Sequence, residues 1–218
     1  MYLREVARKF REQKPGEDVT EEMKTALKGM VPPPNFEFKS PIAPVFTVLN
    51  DNNAKNLYAD SFFVLYLNIF LPFRELYERK SRAGMGFVHM LAVPRERIYN
   101  AAFLEPEDAL LLEYMRKKVK SLVDDREFRL KVMDDLLAQF MAVNDCPDSV
   151  KTQFESFTTT WLNKTDGSDI DFCFHMHPYN SVGHLHMHCY TSNMRTNFAH
   201  ENHNFSFDVI MEKLSNTY

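Results

Sequence analysis

Three histidines, His184, His186 and His188, alternate with Leu185, Met187 and Cys189. On an extended strand successive side chains point to opposite faces. The imidazoles then stand in one row, roughly 6.6 Å apart, while the apolar residues turn towards a core. Such a row fits three chemistries. Imidazoles two residues apart on a strand ligate Zn²⁺ or Fe²⁺, usually with a carboxylate. No Asp or Glu lies within the stretch, and His175 and His177 are the residues that would complete an all-histidine set. A hydrogen-bonded polar sheet face is the second chemistry, though His has no β preference that would place three of them in strict alternation. The third is nucleophilic attack on phosphorus. Imidazole is nucleophilic near neutral pH, and neighbouring imidazoles and the Ser181 hydroxyl could neutralise and orient a phosphate.

The elements that must position this row follow from the pattern on either side of it. Asp169–His177 and Gly183–Tyr190 read as two strands joined by the turn Pro178-Tyr179-Asn180-Ser181. Asn56–Ile69 reads as a hairpin turning at Asp60-Ser61, and Phe87–Val93 as a further strand stopped by Pro94. Pro106-Glu107-Asp108 opens a helix with its acids in the first turn, and Leu110, Leu111, Tyr114, Met115, Val119 and Leu122 form its apolar stripe. Two more helical stretches cover Glu127–Val143 and Asp148–Leu162, Ser192–Asn204 is polar loop, and Phe207–Leu214 is a terminal helix. Strands, then helices, then strands, then a helix predict an α+β domain on an antiparallel sheet of about five strands. The exposed face of that sheet is where a site would sit.

Ahead of the domain, residues 1–30 read as one or two short helices, with Met1–Lys14 an amphipathic surface helix. Pro32-Pro33-Pro34, Pro41 and Pro44 mark an extended connector. The domain organisation is therefore a 1–44 extension and a 45–218 domain with a helical insert at about 127–163. The basic run Arg74, Arg79, Lys80 and Arg82 reads as a solvated loop. His200 and His203 read as loop residues.

Composition sets outer bounds. The chain has 218 residues, of which 44% are hydrophobic and 26% charged, enough for a sizeable core. A formal net charge of −4 argues against a generic electrostatic binder of long nucleic acid. No apolar run approaches the roughly 20 residues of a membrane helix. Cys146, Cys173 and Cys189 form no C-x-x-C pair, and their odd number points to reduced thiols in a cytoplasmic or nuclear protein.

His184-Leu185-His186-Met187-His188-Cys189-Tyr190 resembles the H-φ-H-φ-H-φ-φ signature (φ apolar) of the histidine-triad superfamily of nucleotide hydrolases and transferases. Leu57–Asp60 with Val64–Ile69 looks like that superfamily's first hairpin, and Gly86–Arg95 resembles its histidine-bearing strand. Ser181, three residues before His184, and His177, seven before it, resemble the scavenger mRNA-decapping branch, as does the terminal helix. The resemblance covers about residues 48–123 and 168–215. It implies a histidine-triad fold, a homodimer, and cleavage at an α-phosphate through a covalent nucleotidyl-histidine, with no obligatory metal or other cofactor. By resemblance His186 is the nucleophile, His184 orients it, and His188 donates to a phosphate oxygen. Ser181 contacts the phosphates or the leaving group, and His89 supports the row from the adjacent strand. Asn68 and Ile69 hold ribose and base, and His177 contacts phosphate. A non-catalytic nucleotide or cap sensor, and a metal-dependent enzyme using the same imidazoles, are the alternatives.

Overall fold

The computed structural model describes residues 11–12, 56–78, 83–98, 101–175, 184–195 and 204–216. They form an α+β structure. Strands β1 (Asn56–Ala59), β2 (Phe63–Leu67) and β3 (His89–Pro94) come first. Helices α1 (Asp108–Asp124), α2 (Arg126–Met141) and α3 (Asp148–Lys164) follow. Then come β4 (Ile170–His175), β5 (Met187–Thr191), β6 (Asn204–Ser206) and helix α4 (Phe207–Ser215). The strands make one antiparallel sheet in the order β1-β2-β3-β5-β4-β6.

That is six strands where about five were expected. The additional one, β6, lies partly in the stretch predicted as polar loop. Three residues are too few to show a period, so only pairing with Cys173–His175 reveals the strand. The hairpin turn is built as predicted around Asp60. Its carboxylate accepts the N–H groups of Phe62 (2.7 Å) and Phe63 (2.9 Å) and the hydroxyls of Tyr58 (2.9 Å) and Tyr114 (2.8 Å). Burial pushes this carboxyl up, but these bonds outweigh it and hold it below its ordinary range.

One apolar cluster contains the core residues of all four helices and one face of the sheet. It includes Leu65, Met90, Met187 and Phe174 from the strands and Met115, Val132, Trp161 and Ile210 from the helices. The helices therefore share one side of the sheet. The α1 stripe is rotated from the predicted one: Leu112, Met115, Val119 and Val123 are buried, and Leu110 is 82% exposed. Both sets have near-helical spacing, and the sheet's position decides between them. Helix α2 begins at Arg126, with the Asp125 carboxylate accepting the Glu127 N–H at 3.0 Å, and ends at Met141. Helix α3 runs on to Lys164, and the Phe140 and Phe154 rings stack at 4.0 Å between α2 and α3. The lone Trp161 is core, its indole N–H donating to the Arg129 carbonyl at 3.0 Å.

The opposite sheet face is not exposed, contrary to expectation. Strands β2, β3 and β5 are buried along their whole length. On this second face Tyr66, Leu91 and Val93 form one small cluster, and Cys173 and Tyr190 pack with Met85 from the loop before β3. Glycines let that loop lie close. A Cβ on Gly86 would stand 2.6 Å from the Thr191 carbonyl oxygen, and one on Gly84 would stand 2.8 Å from that of Phe70. Gly86→Ala is therefore expected to cost about 1–3 kcal/mol. A thermal melt should show Tm falling by roughly 2–12 °C, and an unchanged Tm would refute the close approach.

Arg11 is docked on the domain. Its guanidinium meets the buried Asp108 carboxylate at 2.6 Å and Glu96 at 2.8 Å. Apart from Arg11 and Glu12, the 1–44 extension, including the proline connector, lies outside the described residues. So do Arg79, Lys80, Arg82, His200 and His203. No helix among the described residues is long and apolar enough to cross a membrane.

Candidate functional site

Register fixes which side chains share the second face, because residues directly opposite in an antiparallel pair project together. His89 is opposite Tyr190, Leu91 is opposite His188, and Cys173 is opposite His188 from the other side. The alternate residues Met90, Ala92, Met187, Cys189, Phe172 and Phe174 face the helices. His188 therefore stands near the middle of the sheet with imidazoles around it. Ring centroids lie 4.1 Å away for His175, 4.9 Å for His186 and 5.2 Å for His89.

Only His188 of the three predicted row members lies in the hydrogen-bonded strand. β5 begins at Met187, not at Gly183. Ahead of it the Leu185 N–H donates to the Ile98 carbonyl at 2.6 Å and its side chain enters the core. The alternation survives without the ladder, and His184, His186 and His188 are all buried.

Hydrogen bonds assign a tautomer to each ring. His186 Nδ1 is 2.8 Å from the His184 carbonyl oxygen. A carbonyl only accepts, so the proton is on Nδ1 and the lone pair is on Nε2. His184 Nε2 lies 2.9 Å from the Pro94 carbonyl and 3.1 Å from that of Glu96, which places its proton on Nε2. The ring is thereby pinned to the exit of β3. At His89, the Met85 backbone N–H donates to Nδ1 at 3.3 Å, and the Asn68 amide nitrogen lies 2.8 Å from the same atom. A backbone N–H only donates, so His89 carries its proton on Nε2 and gives it to His188 Nδ1 at 2.9 Å. That leaves the His188 proton on Nε2. A main-chain amide in the glycine-flanked loop thus sets, through one imidazole, the donor atom of another.

Burial keeps the His184 and His186 rings neutral. Burial pushes His184 down to about 4, although its two carbonyl partners pull the other way. Burial likewise lowers His186, against the opposing bond to the His184 carbonyl. Burial pushes the neighbouring Cys173 thiol up to about 12, so it remains protonated beside His188. The arrangement joins a neutral imidazole with a lone pair on His186 Nε2 to an N–H donor on His188 Nε2. Such a lone pair is chemically able to attack an electrophile, and such an N–H is able to donate to an anion.

The other expected residues divide. His89 is where the sequence placed it, on the adjacent strand. Asn68 is tied to His89 Nδ1, with its Oδ1 accepting the Phe70 N–H at 3.4 Å. Ile69 stands apart, 70% exposed, beside a cavity of about 430 Å³ that Leu67, Asp135 and Gln139 also line. Ser181 and His177 lie outside the described residues. His175 was weighed in the sequence only as a metal ligand, and the structure sets its ring 4.1 Å from that of His188, tilted by 43°. Its Nε2 donates to Asn204 Oδ1 at 2.7 Å. The signal was the i, i+2 spacing of His175 and His177, but its meaning depends on the β4–β5 register. Asn204 carried no sequence signal, and Tyr190, whose ring stands 6.3 Å from that of His89, entered only as the last apolar position of the histidine signature.

Among the described residues no group of three His, Cys, Asp or Glu side chains is placed to hold a metal ion. A scan against protein-family models and a search of curated proteins each find no match to this chain.

Proposed function

We propose that this chain is a histidine-triad nucleotide hydrolase or nucleotidyl transferase that cleaves a phosphoanhydride or phosphoramidate bond at the α-phosphate. The observation that carries this reading is the tautomer of His186. Its Nδ1–H is committed to the carbonyl of His184, which leaves Nε2 as a lone pair next to the His188 donor. The pairing of the His89 strand with the His188 strand supports the histidine-triad fold.

In the proposed reaction, the His186 Nε2 pair attacks the α-phosphorus and forms an N–P bond. The bond to the leaving group breaks, and that group departs with the bonding pair. Attack makes the imidazole cationic, and the His184 carbonyl oxygen, already accepting from Nδ1, stabilises that charge. The His188 Nε2–H donates to a non-bridging oxygen, and His89 holds that tautomer. Water then attacks phosphorus and releases one proton to solvent, the N–P bonding pair returns to His186 Nε2, and a nucleoside monophosphate leaves with His186 neutral again. Ser181 and His177 contact phosphate, Asn68 steadies His89, and Ile69 borders the nucleoside side. The protein acts as a homodimer. Its substrates are capped dinucleotides, dinucleoside polyphosphates, or nucleoside phosphoramidates.

A panel of these substrates with product identification tests the reading. Cleavage to a nucleoside monophosphate is expected. Intact mass after an alkaline, denaturing quench should show one nucleotidyl adduct, on the peptide containing His186. Nucleotide binding with no product would replace the enzyme with a sensor. Activity lost to chelators from protein holding stoichiometric zinc or iron would replace the metal-free route.

A further inference from the structure

His184 and Leu185 lie ahead of the β5 ladder, and their main-chain partners come from the exit of β3. Three carbonyls of that exit face them. Those of Pro94 and Glu96 accept from His184 Nε2 at 2.9 and 3.1 Å, and that of Ile98 accepts the Leu185 N–H at 2.6 Å. The Ile98 N–H closes back on the Glu96 carbonyl at 3.0 Å, so the platform turns at Glu96. His184 passes the placement on, because its own carbonyl accepts from His186 Nδ1 at 2.8 Å. A shift of Glu96 is therefore carried to His184 and from there to the His186 ring.

The side chain of Glu96 is held by a residue far from it in sequence. Arg11 Nη1 donates to Glu96 Oε1 at 2.8 Å and to Asp108 Oδ1 at 3.3 Å. Its Nη2 donates to Asp108 Oδ2 at 2.6 Å and to the Phe103 carbonyl at 3.4 Å. Glu105 stands 3.8 Å from Nη1. Asp108 begins α1, is 5% exposed, and also accepts the Glu105 N–H at 2.7 Å.

The two arms of this guanidinium differ in strength. A buried carboxylate needs a paired charge, so the arm to Asp108 seats Arg11 firmly against the start of α1. The Glu96 side chain is half-exposed, and an isolated pair there would hold little. Its partner, however, is already ordered by Asp108. The planar fork presents Nη1 to Glu96 as a fixed point, which removes much of the entropy such a pair loses on forming.

We propose that Arg11 is a positioning residue for the histidine row. It fixes Glu96 against α1, and through the Pro94 and Glu96 carbonyls it sets the place of His184 and of the His186 Nε2 lone pair. The N-terminal extension is then part of the site and not an appendage to it. The consequence for turnover rests on the catalytic reading above, whereas the placement of the rings does not.

Ring protons test the placement without requiring turnover. His184 is buried and its Nε2–H is bonded, so in ¹H–¹⁵N spectra of the full chain that proton should exchange slowly with water. Arg11→Met alone leaves a buried charge on Asp108 unpaired, so Asp108→Asn is added to it, which keeps an acceptor for the Glu105 N–H. In this double variant the His184 proton should exchange at least ~10-fold faster, and kcat should fall roughly tenfold with KM changed less than about twofold. Glu96→Gln cuts only the exposed arm and should move both readouts the same way at an unchanged Tm. Arg11→Lys keeps a charge for Asp108 but not the fork that reaches Glu96. It should retain the parent Tm without the slow exchange. Lys151→Met, which breaks an exposed pair on α3, should leave the His184 proton and kcat as in the parent. The proposal is overturned if the double variant or Glu96→Gln keeps the slow proton, or if Arg11→Lys keeps it together with Tm. If exchange quickens as expected while the parent cleaves no nucleotide, the positioning stands and the catalytic reading falls. If the parent cleaves nucleotide while the double variant keeps both the slow proton and the parent kcat, the catalytic reading stands and the positioning falls.

Discussion

His186→Asn is expected to reduce nucleotide cleavage by at least ~10³-fold, because it removes the attacking atom and not merely a contact. The fold should survive. His186 precedes β5 and makes no ladder bond in it, and its ring Nδ1–H is held by the His184 carbonyl. Losing that bond costs on the order of 1 kcal/mol, or a Tm shift of roughly 2–4 °C at this chain length. The near-ultraviolet spectrum and the nucleotide affinity should stay close to those of the parent. His188→Asn should lose less, since it removes a donor and leaves the nucleophile. Stopped assays on the substrate panel, with a melt of each variant, separate the cases. If His186→Asn turned over at the parent rate, the nucleophile would have to be another group, and the tautomer argument would lose its chemical meaning.

What could be read from the sequence was whatever has a short period or a local cause. The Asp60 turn is local, because one carboxylate collects the N–H groups of Phe62 and Phe63 just after it, so the hairpin could be placed from residue types alone. The alternation from His184 to Cys189 is local too, and it predicted which side chains enter the core even though the ladder does not extend over the first half of the stretch. Pairing was not legible. Strand β6 exists because Cys173–His175 needed a partner, and His175 became part of the cluster because β4 lies beside β5. The rotation of the α1 stripe had the same cause: several of its residues are apolar, and only the sheet's position buries Leu112 and exposes Leu110. The donor chain from Met85 through His89 to His188 depends on a loop folding back at two glycines. Neither the spacing of the histidines nor their chemistry encodes that path. The expectation of an open face failed for a related reason. Tyr66, Leu91 and Val93 are apolar residues on the second face of β2 and β3, and that face is buried around them. Central strands buried on both faces lose the polar alternation that marks an exposed side.

Acid should destabilise this protein well above the range in which carboxylates titrate. His184 is held down to about 4 by burial, against an ordinary value of 6.5 in the unfolded chain. Burial also lowers His186. A group with a depressed folded-state value binds its proton more readily when unfolded, so stability is fully present above about pH 6.5. It is lost as pH falls towards 4. The His184 shift alone corresponds to on the order of 3 kcal/mol across that window, and about 2 kcal/mol by pH 5. Asp60, also depressed, adds its loss only below 3.8, so the two windows are separable. Urea unfolding at pH 7.5, 6.0 and 5.0 measures the histidine part directly. His184→Asn should be less stable than the parent at pH 7.5, because the Pro94 and Glu96 carbonyls lose their donor. Its stability should nevertheless fall less steeply between pH 7.5 and 5.0, by close to one proton. Equal slopes would mean that His184 does not titrate between these limits. In folded protein burial keeps His186 neutral and its Nε2 lone pair available, so the cleavage rate of protein still folded at pH 6.0 should stay close to its value at pH 7.5, and a loss of cleavage at lower pH should follow unfolding.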